Sequence, residues 1–254
     1  MDIIKLINLT KFYRGLKAVD DLNISVKEGV IFGFLGPNGA GKTTTIKMMA
    51  GILKPTSGSI IINGMDLEKE PSRVKGLCGF IPDRPFLYEK LTGLEFLNFL
   101  SGLYRLERST STNSRLMGLL DIFDLIDWKD ELIEGYSHGM KQRLVMCGAL
   151  VHDPRVLIVD EPMVGLDPKG ARLVKDIFRR ETDKGKTIFM STHSLETAQE
   201  VCHELAIIQT GKVIARGTVE ELIKDAGVDG NLENTFLKLT EGRGLSHDKP
   251  LSAP

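Results

Sequence analysis

The sequence has few cysteines: Cys78, Cys147 and Cys202, far apart and odd in number. A disulfide framework is thereby excluded, and reduced, mostly buried thiols are expected. Cys202 is followed by His203, but two neighbours without further ligands do not make a zinc site. Long apolar runs are also missing. Nothing approaches the ~18 consecutive apolar residues of a membrane-spanning helix. The opening stretch MDIIKLINLT interrupts its apolar run with Asp2 and Lys5. It lacks a basic start and a small-residue cleavage site, so no secretory signal is expected. An excess of positive charge is absent too. The net charge of -1 argues against nucleic acid as the main ligand. No internal repeat and no heptad array is visible.

What is present alternates. The segments DIIKLINLT and DLNISVK switch apolar with polar, as half-buried antiparallel strands do. VIFGFL is a short apolar run suited to a buried central strand. TTIKMMAGIL follows as a helix, and KPTSGSIIINGMDL as turn, strand and turn around Asn63-Gly64. From about residue 90 to 150 helices dominate. Thr92 with Glu95 forms a capping-box signature before the apolar run of KLTGLEFLNFLSGLYRL. A polar interval, 107–114, separates that run from SRLMGLLDIFDLIDW. RVLIVDEP then returns to a buried strand. PKGARLVKDIFRRET reads as a helix, KTIFMST as a strand, SLETAQEVC as a helix and ELAIIQTGKVIARG as a hairpin-like pair. The pattern predicts an α/β fold with a mostly parallel sheet, an N-terminal antiparallel β subdomain and an inserted α-helical subdomain. One domain is expected over 1–240. The tail 241–254, polar and rich in turn formers, is expected to be disordered.

Two segments carry chemistry. GPNGAGKT matches G-x-x-x-x-G-K-[ST], between an apolar strand and a helix. Glycines let backbone N–H groups curl around phosphate oxygens, and the helix that follows turns its positive end to the same anion. Gly36, Pro37, Asn38, Gly39, Ala40, Gly41, Lys42, Thr43 and Thr44 are the expected nucleotide-binding residues. Lys42 reaches the β- and γ-phosphates, and the Thr43 hydroxyl is an oxygen ligand suited to Mg²⁺. A dinucleotide loop built on Gly33, Gly36 and Gly39 is the competing reading. The Gly-Lys-Thr sequence favours a nucleoside triphosphate. In VLIVDEP, Asp160 and Glu161 end an apolar strand. The first carboxylate suits a metal, and the second suits a general base that polarises water.

With these motifs the chain resembles the ATP-binding subunits of ABC transporters, from about residue 2 to 240. YSHGM, Tyr136 to Met140, stands where that family carries L-S-G-G-Q, and is followed by KQR. VGLDP with Asp167 matches the D-loop, His193 the switch histidine, and Tyr13 the aromatic residue that stacks on adenine. The resemblance implies a P-loop ATPase core, with ATP and Mg²⁺ as cofactors. It also implies two subunits facing head to tail, each ATP held between the phosphate loop of one and the signature of the other. Ser137 is a good N-cap for the helix through MKQRLVMCGAL, and Gly139 leaves room for a close backbone approach. The helix start offers unpaired N–H donors and a positive dipole end. Ser137, Gly139 and Asp167 are therefore expected at a shared nucleotide site. Glu161, His193 and Lys42 are the expected catalytic residues. Thr43, Asp83 and Asp160 are the expected metal ligands.

The departures from the family pattern leave alternatives open. Leu, Gly and Gln of the signature are Tyr136, His138 and Met140 here. His138 is read either as a proton-dependent donor near the γ-phosphate or as an outward, solvated side chain. The family's Q-loop glutamine is replaced by Asp83 in CGFIPDRPF; it is read as a metal ligand or as the start of a Pro82–Pro85 turn. Tyr13 is read as adenine platform or as a partly buried strand-end tyrosine.

The resemblance implies an ATPase at the cytoplasmic face of the cell membrane. Its expected partners are transmembrane permease subunits and a second ATP-binding subunit, identical or paralogous, with no nucleic acid. LYEKLTGLEFL, YSHGMKQRL and LENTFLKLT resemble the type-2, multidrug-exporter-like branch. A soluble ABC ATPase of DNA repair or translation is the alternative. Such proteins usually carry two ATPase halves, long coiled coils or zinc modules, and none is seen here. A binding-only regulatory subunit would be expected to lose Lys42, Asp160 or Glu161, and all three are present.

Overall fold

A computed structural model describes residues 1–227 and 232–241. Two strands open the chain, β1 (Asp2–Tyr13) and β2 (Leu16–Lys27), joined by a tight turn at Arg14–Gly15. They pair antiparallel, and β1 pairs on its other side with β4 (Ser57–Ile62), which continues to β5 (Met65–Asp66). The resulting four-stranded sheet has the order β2-β1-β4-β5. The alternation read from the sequence places Ile4, Leu6, Leu22, Ile24 and Val26 on its buried face.

The second sheet is built on β3 (Ile31–Leu35), whose five residues are all buried. Its other strands are β6 (Cys78–Ile81), β7 (Val156–Asp160), β8 (Thr187–Thr192), β9 (Glu204–Gln209) and β10 (Lys212–Gly217). The order is β10-β9-β3-β8-β7-β6. All neighbours run parallel except the β9–β10 hairpin at the edge. Strands buried on both faces read as continuous apolar runs, which is why VIFGFL and VLIVD look as they do. One apolar cluster lies between the two sheets, where Phe32, Phe34 and Phe189 meet Ile4, Leu6 and Val26.

Helices cover the parallel sheet. Helix α1 (Lys42–Met49) follows β3, and the short α2 (Pro71–Gly76) precedes β6. Between β6 and β7 lie α3 (Gly93–Leu103), α4 (Thr110–Ile122), two 3₁₀ turns and α5 (His138–Leu150). The capping box at Thr92 and Glu95 forms as expected. Three boundaries differ from the sequence reading. Helix α4 begins inside the polar interval 107–114, because the Ser109 hydroxyl accepts the Thr112 N–H and caps it. It stops at Ile122 rather than running to Trp128, with Asp124 in the left-handed region. Helix α1 likewise ends at Met49, before Gly51 at φ 66° turns the chain. After β7 come α6 (Pro168–Asp183), α7 (Leu195–Val201), α8 (Val219–Ala226) and α9 (Leu232–Glu241). The tail from residue 242 onward lies outside the described residues.

Candidate nucleotide site

The carboxyl ends of β3 and β7 open on the same side, as do those of β6 and β8. That is where ligands bind in open α/β sheets. Pro37, Asn38, Gly39, Gly41, Lys42, Thr43 and Thr44 line a cleft there with Ala18, Asp83, Glu161 and His193. The loop owes its path to glycine. Gly41 sits at φ 107° as the N-cap of α1, and a Cβ on it would lie 2.4 Å from the Ala18 carbonyl oxygen. Helix α1 carries no side-chain cap. Its first-turn N–H groups therefore lack intrahelical partners and face the cleft with the positive end of the helix dipole.

Lys42 is 6% exposed. Its Nζ donates to the carbonyls of Gly36 at 2.7 Å and Pro37 at 3.2 Å, and lies 3.8 Å from Glu161 Oε1. The ammonium thus folds back onto the loop whose amides would cradle an anion. Burial holds its pKa below the usual lysine value, against the opposing pull of Glu161 and Asp160. Glu161 takes the left-handed conformation at φ 49°. Its N–H donates to the Ser191 carbonyl at 3.2 Å. Its Oε2 stands 2.9 Å from His193 Nδ1 and accepts the His193 backbone N–H at 3.3 Å. Both carboxylate oxygens are held, one by lysine and one by histidine.

Asp160 lies beneath the cleft at 2% exposure. Strands β7 and β8 set Asp160 opposite Ser191, whose hydroxyl donates to Oδ1. Burial pushes the Asp160 carboxyl above the usual range; the Ser191 and Thr43 hydroxyls oppose the shift, and Asp83 and Glu161 add to it. A buried carboxylate surrounded by hydroxyls and further carboxylates is a donor set that a hard cation fits. Among the described residues no group of three or more His, Cys, Asp or Glu gathers as a metal cluster. Ser191 was missed in the sequence. Its signal was its position two residues before His193, on a strand next to the acidic one.

Not every expected residue lines this cleft. Gly36 and Ala40 do not: the Gly36 carbonyl accepts from Lys42 Nζ, and Ala40 is buried. Tyr13 ends β1 and is 44% exposed, with Lys11 Nζ 5.5 Å from its ring centroid. Ser137, Gly139 and Asp167 lie apart from the cleft lining. Ser137 is the N-cap of α5, accepting the Met140 N–H at 3.3 Å, and Asp167 is the N-cap of α6, accepting the Gly170 N–H at 2.9 Å. Tyr136 is buried and its hydroxyl donates to the Trp128 carbonyl at 2.5 Å. The His138 ring packs over Gly165, and the Leu166 side chain lies beside Gly139. The signature segment and the VGLDP loop thus form one surface.

Comparison with known proteins gives a consistent picture. The profile described as "ABC transporter" matches residues 19–164. The ABC transporter ATP-binding protein YhcH of Bacillus subtilis (strain 168) is 38% identical over 230 residues, covering 90% of this chain and 73% of that protein. The daunorubicin/doxorubicin resistance ATP-binding protein DrrA of Streptomyces peucetius is 38% identical, over 86% of this chain and 66% of its own length. The probable multidrug ABC transporter ATP-binding protein YbhF of Escherichia coli (strain K12) is 36% identical over 96% of this chain, which spans only 43% of that protein. Among solved structures, an ATP-binding subunit of an ABC transporter superposes with a TM-score of 0.87 at 32% identity, covering 93% of this chain and 99% of that one. The ATP-binding cassette MJ0796, solved as a dimer with ADP and Pi, gives a TM-score of 0.78 at 25% identity, over 85% and 98%.

Proposed function

From its membership of the ABC transporter family, as an ATP-binding subunit, we propose that this chain hydrolyses ATP to drive an exporter through separate transmembrane subunits. One observation carries the hydrolytic reading: Glu161 is held between Lys42 and His193 at the mouth of a cleft lined by uncapped helix amides. The phosphates of ATP take the place of the Gly36 and Pro37 carbonyls at Lys42, and the α1 amides surround them. Thr43, Asp160 and Asp83 would hold Mg²⁺, which would supply positive charge against the phosphate oxygens. Glu161 accepts a proton from the attacking water, and His193 fixes its orientation. Tyr13, 44% exposed at the end of β1, gives the base a stacking face.

Ser137, Gly139 and the α5 N-terminus serve the nucleotide of a second subunit. Their separation from the chain's own cleft supports that division, as does the dimeric, ADP- and Pi-bound state of the related cassette. Asp167 adjoins this surface as the cap of α6. For the membrane partner, a groove between β6, α3 and α5 is lined by Phe80, Pro82, Phe86, Leu100, Tyr104 and Val145. Phe86 is 81% exposed and packs edge-on to Tyr88, which meets Phe99 likewise. Aromatic patches of this kind mark protein contacts. No described helix is long and apolar enough to cross a membrane. From the transporter family we assign the chain a peripheral place at the cytoplasmic face. The drug-resistance and multidrug names of two relatives support export.

The test is phosphate release by wild type and Glu161→Gln. Hydrolysis is expected to fall by about 10²- to 10⁴-fold with ATP binding retained. Equal hydrolysis by the two proteins overturns the role of Glu161.

A further inference from the structure

Gln142 lies in α5, five residues after Ser137, and is 0% exposed. Both its Nε2 and its Oε1 lack any hydrogen-bond partner. A carboxamide offers two donors and an acceptor, and a buried one left wholly unpaired is unusual enough to require a reason. Sequence reading passed over it as part of the KQR run.

Helix geometry shows what it faces. Helix α5 rests on β6 at Gly79, where a Cβ would lie 2.4 Å from the Ala149 carbonyl oxygen. Because α5 delivers the chain to the start of β7, and β7 is parallel to β6, the helix runs back along β6. Gln142 precedes Ala149 by two turns on the same face, about 10 Å along the axis. Three residues of strand beyond Gly79 also rise about 10 Å, which brings Gln142 level with Pro82. Val145, one turn further on, lines the same groove as Pro82. Gln142 is therefore level with Pro82, where the chain leaves β6 toward Asp83 at the cleft.

That segment has spare bonding capacity. Among the described residues, no backbone–backbone hydrogen bond holds residues 83–87. The chain is anchored on either side of them. Ile81 pairs with Val159 in the sheet. Glu89 accepts the Glu134 N–H at 3.1 Å, and its side chain meets Lys141 at 2.5 Å. A loop with unbonded peptide groups thus spans a buried side chain with unbonded amide groups.

We infer that Gln142 is a positioning residue for hydrolysis: nucleotide draws Asp83 inward, and the peptide groups of 83–87 then bond the Gln142 carboxamide. This rests on the nucleotide reading of the cleft given above. The consequence is a link inside one subunit. Occupancy of the phosphate cleft fixes α5, whose first residues are the signature segment offered to the second subunit. A carboxamide left unpaired costs stability, and bonding it to the 83–87 peptide groups removes that cost.

The experiment uses hydrogen–deuterium exchange in the full chain carrying Glu161→Gln, with and without Mg-ATP, beside the same protein with Gln142→Met added. Methionine keeps the length and removes the polar atoms. Mg-ATP is expected to slow exchange of the 83–87 amides at least tenfold in the first protein and less than twofold in the second, at equal ATP affinity. In the Glu161 wild-type background, Gln142→Met is expected to keep or raise the thermal midpoint while lowering hydrolysis at least tenfold. Gln142→Leu repeats the measurement in case methionine packs poorly. Equal protection of 83–87 in both proteins overturns the inference. So does hydrolysis by Gln142→Met equal to wild type. A wild type that does not bind ATP overturns the nucleotide reading itself, so the two failures are distinct.

Discussion

At the scale of the residue, Asp160 concentrates the cost of a binding site kept ready. Its carboxyl is buried with its pKa raised by desolvation. A carboxyl whose folded pKa is raised contributes its stability at low pH and loses it as pH rises through the folded value. At neutral pH the ionised group therefore weakens the fold. Asp160→Asn is expected to raise the thermal midpoint by a few degrees at pH 7 to 8, with the gain shrinking as pH falls toward the ordinary value of 3.8. The same substitution is expected to abolish metal-dependent hydrolysis. Thermal denaturation across that pH range checks the first outcome, and a midpoint lowered at neutral pH refutes it. Asp160 and Glu161 were legible as a pair because they end an apolar strand. Their different surroundings were not, since Ser191 reaches Asp160 only through the pairing of β7 with β8.

At the scale of the element, two helix starts were readable from a capping side chain close in sequence. Thr92 with Glu95 and Ser137 with the Met140 N–H behave as their sequence suggests. Helix α4 was misjudged because a run of hydroxyls looks like a loop, although its first member caps the helix. Contacts between elements were not readable. His152, just after α5, stacks on Tyr104 at the end of α3, with ring centroids 3.6 Å apart, and its Nε2 lies 3.0 Å from the Cys78 carbonyl of β6. Burial lowers its pKa from 6.5 to about 4, chiefly through desolvation. A lowered folded pKa means stability present above 6.5 and lost as pH falls through about 4. Wild type is expected to lose on the order of 2 kcal/mol from this group across that window. Urea denaturation at pH 7, 5.5 and 4.5 checks it: His152→Gln is expected to flatten the acid limb, and an unchanged slope refutes the assignment.

At the scale of the whole molecule, the proposed nucleotide site takes groups from two subunits. The signature segment forms a capped helix start and a shared surface with Gly165 and Leu166, yet it lies apart from the chain's own phosphate cleft. Sedimentation of Glu161→Gln is expected to give a monomer without nucleotide and a dimer with Mg-ATP, by linkage of ligand to association. Adding Ser137→Arg is expected to abolish the dimer while leaving ATP binding to each subunit. A dimer that persists with Ser137→Arg refutes the shared site.

The sequence by itself determined the phosphate loop, the acidic strand end, the alternation of strands and helices and the helix caps. All of these rest on residues within a few positions of one another, where periodicity and local hydrogen bonding decide the outcome. Only the tertiary structure decided that His193 and Lys42 share Glu161, that His138 packs over Gly165 and that Gln142 is buried unpaired. Those surroundings bring together segments distant in sequence. They are fixed by sheet order and helix packing, which no local pattern encodes.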